Sequence, residues 1–337
     1  MTEVNAASLG TVVSDALAAA PASEAVPLRP KRGASTGDAV FALVAKGSGL
    51  LVLVLLGAII VTLFVGGLPA FREFGFNFLV NTDWDPVQNV YGGAVAIYGT
   101  LITSVIALVM AVPISFGIAV FLTELAPAWL RRPVGTAVEL LAAVPSIIYG
   151  MWGFAVLVPF MATYIQPPLI DMLGDVPVIG DLFSGAPFGT GIFTAAVVLA
   201  IMIIPFVSAT MRDVFMTVPA VYKESAYGLG STTWEVMRSI VLPYTRSSVV
   251  GGVMLGLGRA LGETMAVTFV IGNANRITPS LFGPGNTIAS IVALVFPESP
   301  AGSLKLSSLL ALGFILFVIS FIVLALSRLL LRPGVRT

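Results

Sequence analysis

The chain has no cysteine and no histidine, and only 10% of its 337 residues are charged. An average soluble domain is about 25% charged. Each absence excludes some chemistry. Without cysteine there is no disulfide framework and no thiol nucleophile, and without histidine there is no imidazole metal ligand or Ser-His pair. Carboxylate-only metal sites need clustered acidic residues, whereas the 17 Asp and Glu residues are scattered along the chain. An intramembrane enzyme would therefore have little to work with. No Gly-x-x-x-x-Gly-Lys-[Ser/Thr] run occurs, so the chain carries no phosphate-binding loop of its own.

What is present is apolar: 57% of the residues are hydrophobic. Stretches of about 20 apolar residues can cross a bilayer, and the sequence offers them near 46–69, 94–122, 133–161, 190–211, 247–272 and 305–331. Pro113, Pro145 and Pro205 fall inside the second, third and fourth and predict kinks there. Lys and Arg collect in alternate connections. Arg29, Lys31, Arg32 and Lys46 precede the first span, and Arg131 and Arg132 separate the second and third. Arg212, Lys223, Arg238 and Arg246 separate the fourth and fifth, and Arg328, Arg332 and Arg336 close the chain. The 162–189 connection has no basic residue but holds Asp171, Asp175 and Asp181. The positive-inside rule then places both termini in the cytoplasm. Residues 1–38, rich in Ala, Ser and Pro, are expected to be a disordered cytoplasmic tail and not a cleaved signal peptide. The transmembrane domain then occupies 39–337, with a cytoplasmic loop at 213–246.

That loop has its own local logic. Pro219 suits a first helical turn, and a helix is expected to run from there through Ala226. Gly228 and Gly230 allow the left-handed geometry that ends it. Thr232 with Glu235 forms a capping box for a second helix, expected to stop before Pro243. The small residues at 225 and 226 are expected to keep the outer face slim. Glu224 and Lys223 are candidates for charge-assisted contacts with a partner, a solvated pair being the alternative.

The spacing Glu224-Ser225-Ala226, Gly230, Ile240, Leu242 and Pro243 resembles the EAA loop of bacterial ABC-importer permeases, with Ser225 as the one departure. The resemblance implies a coupling loop that docks on a separate ATPase through Glu224, Ser225, Ala226, Gly230, Leu242 and Pro243.

Among the predicted spans, only Glu139, Arg259 and Glu263 place charges well inside. A charge at the bilayer centre costs roughly 2.5–3.5 kcal/mol on insertion scales, so each is a functional candidate. Arg259 and Glu263, four positions apart, share a helical face with Gly252 and Gly256. An arginine there faces a protein interface or a water-filled path, and its planar fork matches an oxyanion. A salt bridge that merely joins helices is the competing reading. Glu139 could pair with Arg259, with Arg131 or Arg132, or with a partner subunit, as a gate or as an anchor.

The run Gly256-Leu257-Gly258-Arg259-Ala260-Leu261-Gly262-Glu263-Thr264-Met265-Ala266-Val267 resembles the fifth span of the PstC family of permeases, from phosphate-specific (Pst) ABC importers. Ile97-Tyr98-Gly99-Thr100, Pro145-Ser146-Ile147 with Tyr149-Gly150, and Trp84-Asp85-Pro86 are similar as well. The resemblance implies the all-α, six-span type I ABC-importer permease fold (MetI-like) in the bacterial cytoplasmic membrane. It also implies a heterodimer with a second permease, two ATP-binding subunits that use ATP and Mg, and an extracytoplasmic phosphate-binding protein. The chain itself would bind no cofactor and no metal, and would not be an enzyme. Arg259 and Glu263 are implicated in phosphate passage by this resemblance, and Glu139 joins them as a candidate on the pathway. The competing functions are a permease for another oxyanion or small solute, and a channel or secondary transporter that needs no ATPase.

Overall fold

A computed structural model describes residues 36–177 and 179–330. The expected tail falls outside the described residues up to residue 35, and its last three residues, 36–38, lie in a helix. Among the described residues, six helices are long and apolar enough to cross a membrane: α1 Thr36–Phe74, α2 Ala94–Leu125, α4 Ser146–Leu173, α5 Ile192–Met216, α7 Thr233–Leu261 and α10 Leu304–Leu330. Between them lie α3 Ala128–Ala142, α6 Ala220–Gly228, α8 Met265–Thr268 and α9 Ile288–Val295. A two-stranded antiparallel ribbon, β1 Trp84–Asp85 with β2 Val90–Tyr91, pairs Trp84 with Tyr91 in the loop before α2. Among the described residues, 36–57 fall in one compact unit and those from 58 to 330 in a second.

Small residues set the packing of the second unit. On α2, Gly99, Thr103, Ala107, Ala111, Ser115 and Ala119 recur every fourth position and are all buried. Such a stripe lets two backbones approach closely, and α5 packs along it. Ser115 Oγ crosses the seam to donate to the Ile204 carbonyl at 3.1 Å, beside Pro205. On α1, Gly66 and Gly67 meet Leu310 and the backbone of Ala311 on α10, where an added Cβ would have no room.

Three predicted spans are drawn differently by the structure, the first, expected over 46–69, being a longer helix over Thr36–Phe74. The third, expected over 133–161, is interrupted: α3 ends at Ala142 and α4 begins at Ser146. Pro145 lacks an N–H and keeps Val144 out of the helical region. Residues 128–142 are also amphipathic, carrying Arg131, Arg132 and Glu139, so they form a helix outside the spans. The fifth, expected over 247–272, starts earlier and stops earlier. The helix does not end before Pro243, because a π-helical turn at Met237–Val241 precedes it and places the proline in the first turn of the next α segment. It stops instead at Leu261, with Gly262 as its cap. The apolar helix α9, too short to span, is an addition to the expected elements. A Thr287–Ser290 capping box starts it, and its Ile288 N–H donates to Thr100 Oγ1 on α2 at 2.9 Å.

Candidate functional site

The connection between α5 and α7 is an elbow built from short-range bonds. Pro219 caps α6 in an extended conformation. The helix ends in a Schellman arrangement, with Ser231 N–H donating to Ala226 O at 3.1 Å and Gly230 N–H to Tyr227 O at 2.9 Å. Gly230 has φ +87° and open space around it, so the backbone angle alone demands glycine. Gly228, expected to share that role, remains helical. The capping box forms as the spacing predicts: Thr232 N–H donates to Glu235 Oε2 at 2.7 Å, and Glu235 N–H to Thr232 Oγ1 at 3.4 Å.

The faces of the elbow differ from expectation. Ala226 is only 9% exposed and packs with Phe215, Val218 and Met237, so it anchors the helix instead of slimming its outer surface. Lys223 also turns inward, reaching Glu124 Oε1 at the end of α2 at 2.6 Å. Glu224, Ser225 and Pro243 are exposed and Leu242 is half-buried. Ser225 Oγ donates to the Val221 carbonyl at 2.7 Å, which suits the serine to an alanine-like position. The outer face is dominated by residues outside the EAA-like spacing: Tyr222, Trp234 and Leu229, the last 88% exposed at the tip. Large apolar groups in a polar connection were the available signal, since exposed apolar patches mark interaction sites.

Arg259 lies in the last turn of α7, where a cation is favoured by the helix dipole. Its guanidinium stands 5.9 Å from the ring of Phe206 on α5. Among the described residues no carboxylate lies within salt-bridge distance of it. The helix break at Gly262 takes Glu263 off the expected shared face, and the competing salt bridge with Arg259 does not form among the described residues. Glu263 instead accepts from the Ala266 N–H at 3.2 Å at the start of α8. Gly252 and Gly256 face α5, where Thr210 and Val207 leave no room for a Cβ, so they form a helix seam. The chain beyond the break is held by remote backbone: Gly191 N–H donates to Val270 O and Gly285 N–H to Ile271 O. Irregular backbone of this kind is tolerated at membrane depth only inside protein or along a water-filled cavity, and Val267, Val270 and Ile271 are buried.

Glu139 is not beside Arg259. It pairs with Arg212 at 2.6 Å, and Asp213 takes the same Nη2 at 2.9 Å. Arg131, Arg132, Thr136, Glu139 and Arg212 line a cavity of about 360 Å³. Gly135 makes this possible, because a Cβ there would lie 2.6 Å from Arg212 Nη1. No group of three or more carboxylates that could hold a metal occurs among the described residues.

Comparisons with known proteins bear on this geometry. Residues 111–335 match the family model described as "Binding-protein-dependent transport system inner membrane component". The "Phosphate transport system permease protein PstC" of Pasteurella multocida is 64% identical over 280 residues, covering 83% of this chain and 87% of that one. Its namesake in Mesorhizobium japonicum is 54% identical over 328 residues, covering 97% and 99%. Among solved structures, a bacterial ABC transporter involved in alginate import aligns with TM-score 0.53 and 19% identity over 86% of this chain and 98% of that one. The inward-facing MetNI methionine ABC transporter aligns with TM-score 0.52 and 16% identity over 72% and 95%. These structural likenesses concern the fold, which is the all-α, MetI-like permease fold. By the extent of the family match and of the sequence identities, the chain belongs to the binding-protein-dependent transport system inner membrane components, in the PstC group of permeases, and is a multi-pass membrane component and not a catalytic subunit.

Proposed function

We propose that this chain is a transmembrane permease subunit of an ATP-driven phosphate importer and forms the phosphate pathway with a second permease. The observation that carries the reading is the 64% identity over 280 residues to a phosphate transport system permease. Two separate ATPase subunits, which use ATP and Mg, dock on the exposed face of the elbow around Glu224, Ser225, Tyr222 and Leu229. An extracytoplasmic phosphate-binding protein delivers the substrate to the opposite side, and both termini lie in the cytoplasm.

Arg259 supplies the counter-charge on the route. A guanidinium stays charged at every relevant pH and offers a bidentate fork to an oxyanion. An anion without such a partner in low dielectric costs several kcal/mol at least. The fork is not consumed by a carboxylate of this chain among the described residues. Glu263 acts through the backbone, fixing the turn that follows Arg259 by its bond to Ala266. Glu139 seats Arg212 in the wall of the arginine-lined cavity, which gives departing phosphate a cationic exit.

Co-purification from detergent and reconstitution in vesicles test the reading. A second permease and an ATPase are expected to accompany the chain, with phosphate uptake and ATP hydrolysis stimulated by loaded binding protein. Uptake by the chain alone without ATP would replace this reading with a channel. The absence of native cysteine makes the topology simple to check. Single cysteines at Asp175 and Thr232 are expected to label from opposite sides, and same-side labelling would overturn the orientation.

A further inference from the structure

The inward-turned Lys223 is the observation that the EAA resemblance does not absorb. Its ammonium reaches Glu124 Oε1 at 2.6 Å, and the two side chains are only 16% and 8% exposed. It also donates to the Phe215 carbonyl at 3.4 Å. Glu124 lies in the π-helical turn Phe121–Leu125 that ends α2, and Phe215 in the last turn of α5. One cation on α6 thus sits between the C-terminal ends of two spans. Both ends carry the partial negative charge of unsatisfied carbonyls, and one carries a full carboxylate besides. One turn along the same face of α6, Tyr227 Oη lies 3.5 Å from the other oxygen of Glu124.

A pair this enclosed is not explained by stability. Apolar residues of similar volume commonly serve as well or better, whereas removal of one partner strands a buried charge. The apolar surroundings are already available in Phe215, Val218, Ala226 and Met237. What the pair adds is direction: a charge-assisted bond holds α6 to one point on α2 and one on α5.

We propose that Lys223 and Glu124 are positioning residues that transmit movement of the coupling helix to the second and fourth spans. The inference rests on the coupling reading of the elbow. When an ATPase displaces α6, Lys223 draws the ends of α2 and α5 with it, while apolar contact alone would let the helix slide.

The test uses the reconstituted complex and reads phosphate taken up per ATP hydrolysed. Lys223→Met is expected to lower that ratio about tenfold while ATP hydrolysis continues, because the displaced elbow no longer pulls on a stranded Glu124. Glu124→Gln keeps an acceptor, and Lys223 keeps Phe215, so a smaller loss is expected, about threefold. The double variant Lys223→Met/Glu124→Leu separates stability from transmission. It is expected to restore thermal stability of the complex without restoring the ratio. A wild-type ratio in Lys223→Met and in Glu124→Gln, or recovery of the ratio in the apolar double variant, would overturn the proposal. Should Lys223→Met not assemble, Glu124→Gln and the double variant decide alone. Leu229→Asp at the exposed tip tests the underlying reading separately. If it leaves ATPase binding and uptake intact, the elbow is not the docking site. If it abolishes both while the Lys223 and Glu124 variants behave as wild type, only the transmission role fails.

Discussion

The elbow and the segment after Arg259 differ in how much remote backbone holds them. Between α6 and α7 nearly every bond is local: the Schellman pair from Ser231 and Gly230, the Thr232–Glu235 box, and a glycine at φ +87° in open space. Beyond Gly262 local bonds also occur, from Ala266 to Glu263, Thr268 to Thr264 and Ile271 to Val267, but Val270 and Ile271 are tied as well to remote backbone at Gly191 and Gly285. Gly272 also has φ +87°, but a Cβ there would stand 2.6 Å from Pro284, so its surroundings constrain it as much as its own angle does. A self-closed elbow can move as one piece. A segment held by its neighbours changes when they change, which would let the substrate contact proposed for Arg259, at the helix end beside it, respond to them.

The largest effect is expected at the compliant end. Arg259→Gln keeps size and polarity but removes the charge, and should abolish phosphate uptake while assembly with the ATPase survives. Arg259→Lys should retain little activity, because a point charge lacks the bidentate fork. Uptake assays on purified complexes decide this. Near-normal transport by the Gln variant would make Arg259 a helix-end charge and move the site to the partner subunit.

At the rigid end the effect is intermediate. Gly230→Leu forces a branched side chain into the left-handed region at a cost of roughly 1 kcal/mol or more. The elbow should then close poorly, and ATP hydrolysis should lose its coupling to uptake although the spans still insert. Full uptake by this variant would argue that the loop is only a connector. Smaller still is Glu139→Gln. Arg212 keeps Asp213, so uptake should fall about twofold, the scale of a partly solvated ion pair. A complete loss would mean that the arginine-lined cavity is the main binding site.

The same contrast explains what is legible in the residues alone. The capping box, the left-handed Gly230 and the order of the apolar stretches depend on neighbours a few positions apart, and the spacing of Thr232, Glu235 and Gly230 is enough to place them. The faces of α6 are not legible, because Ala226 and Lys223 are turned inward by Phe215 and Glu124, which lie on distant helices. Pro243 misleads for a similar reason: a π turn widens the ladder ahead of it, and no local pattern announces that turn. Arg259 stands out by its charge in an apolar stretch, but its environment does not, since a helical wheel assumes that the helix continues past Gly262. Glu139 falls in an expected span only if Pro145 kinks the helix. The proline breaks it instead, and the true partner Arg212 stands on another element.

The smallest expected effect tests the contrast most directly. Thr232→Ala removes the side-chain half of the capping box and should cost about 1 kcal/mol of local helix stability. Because the elbow is closed by its own bonds, the loss should stay there. Amide hydrogen exchange ought to quicken over the first turn of α7 and the end of α6, by about fivefold for that free energy. The amides after Gly262, which answer to Gly191 and Gly285, should exchange as before. Uptake should fall only slightly, since Gly230 and the Schellman bonds still close the elbow. If protection after Gly262 falls together with that of the elbow, the two regions share one cooperative unit. The elbow would then not be an independent lever, and its movement and the state of Arg259 would have to be treated as a single transition.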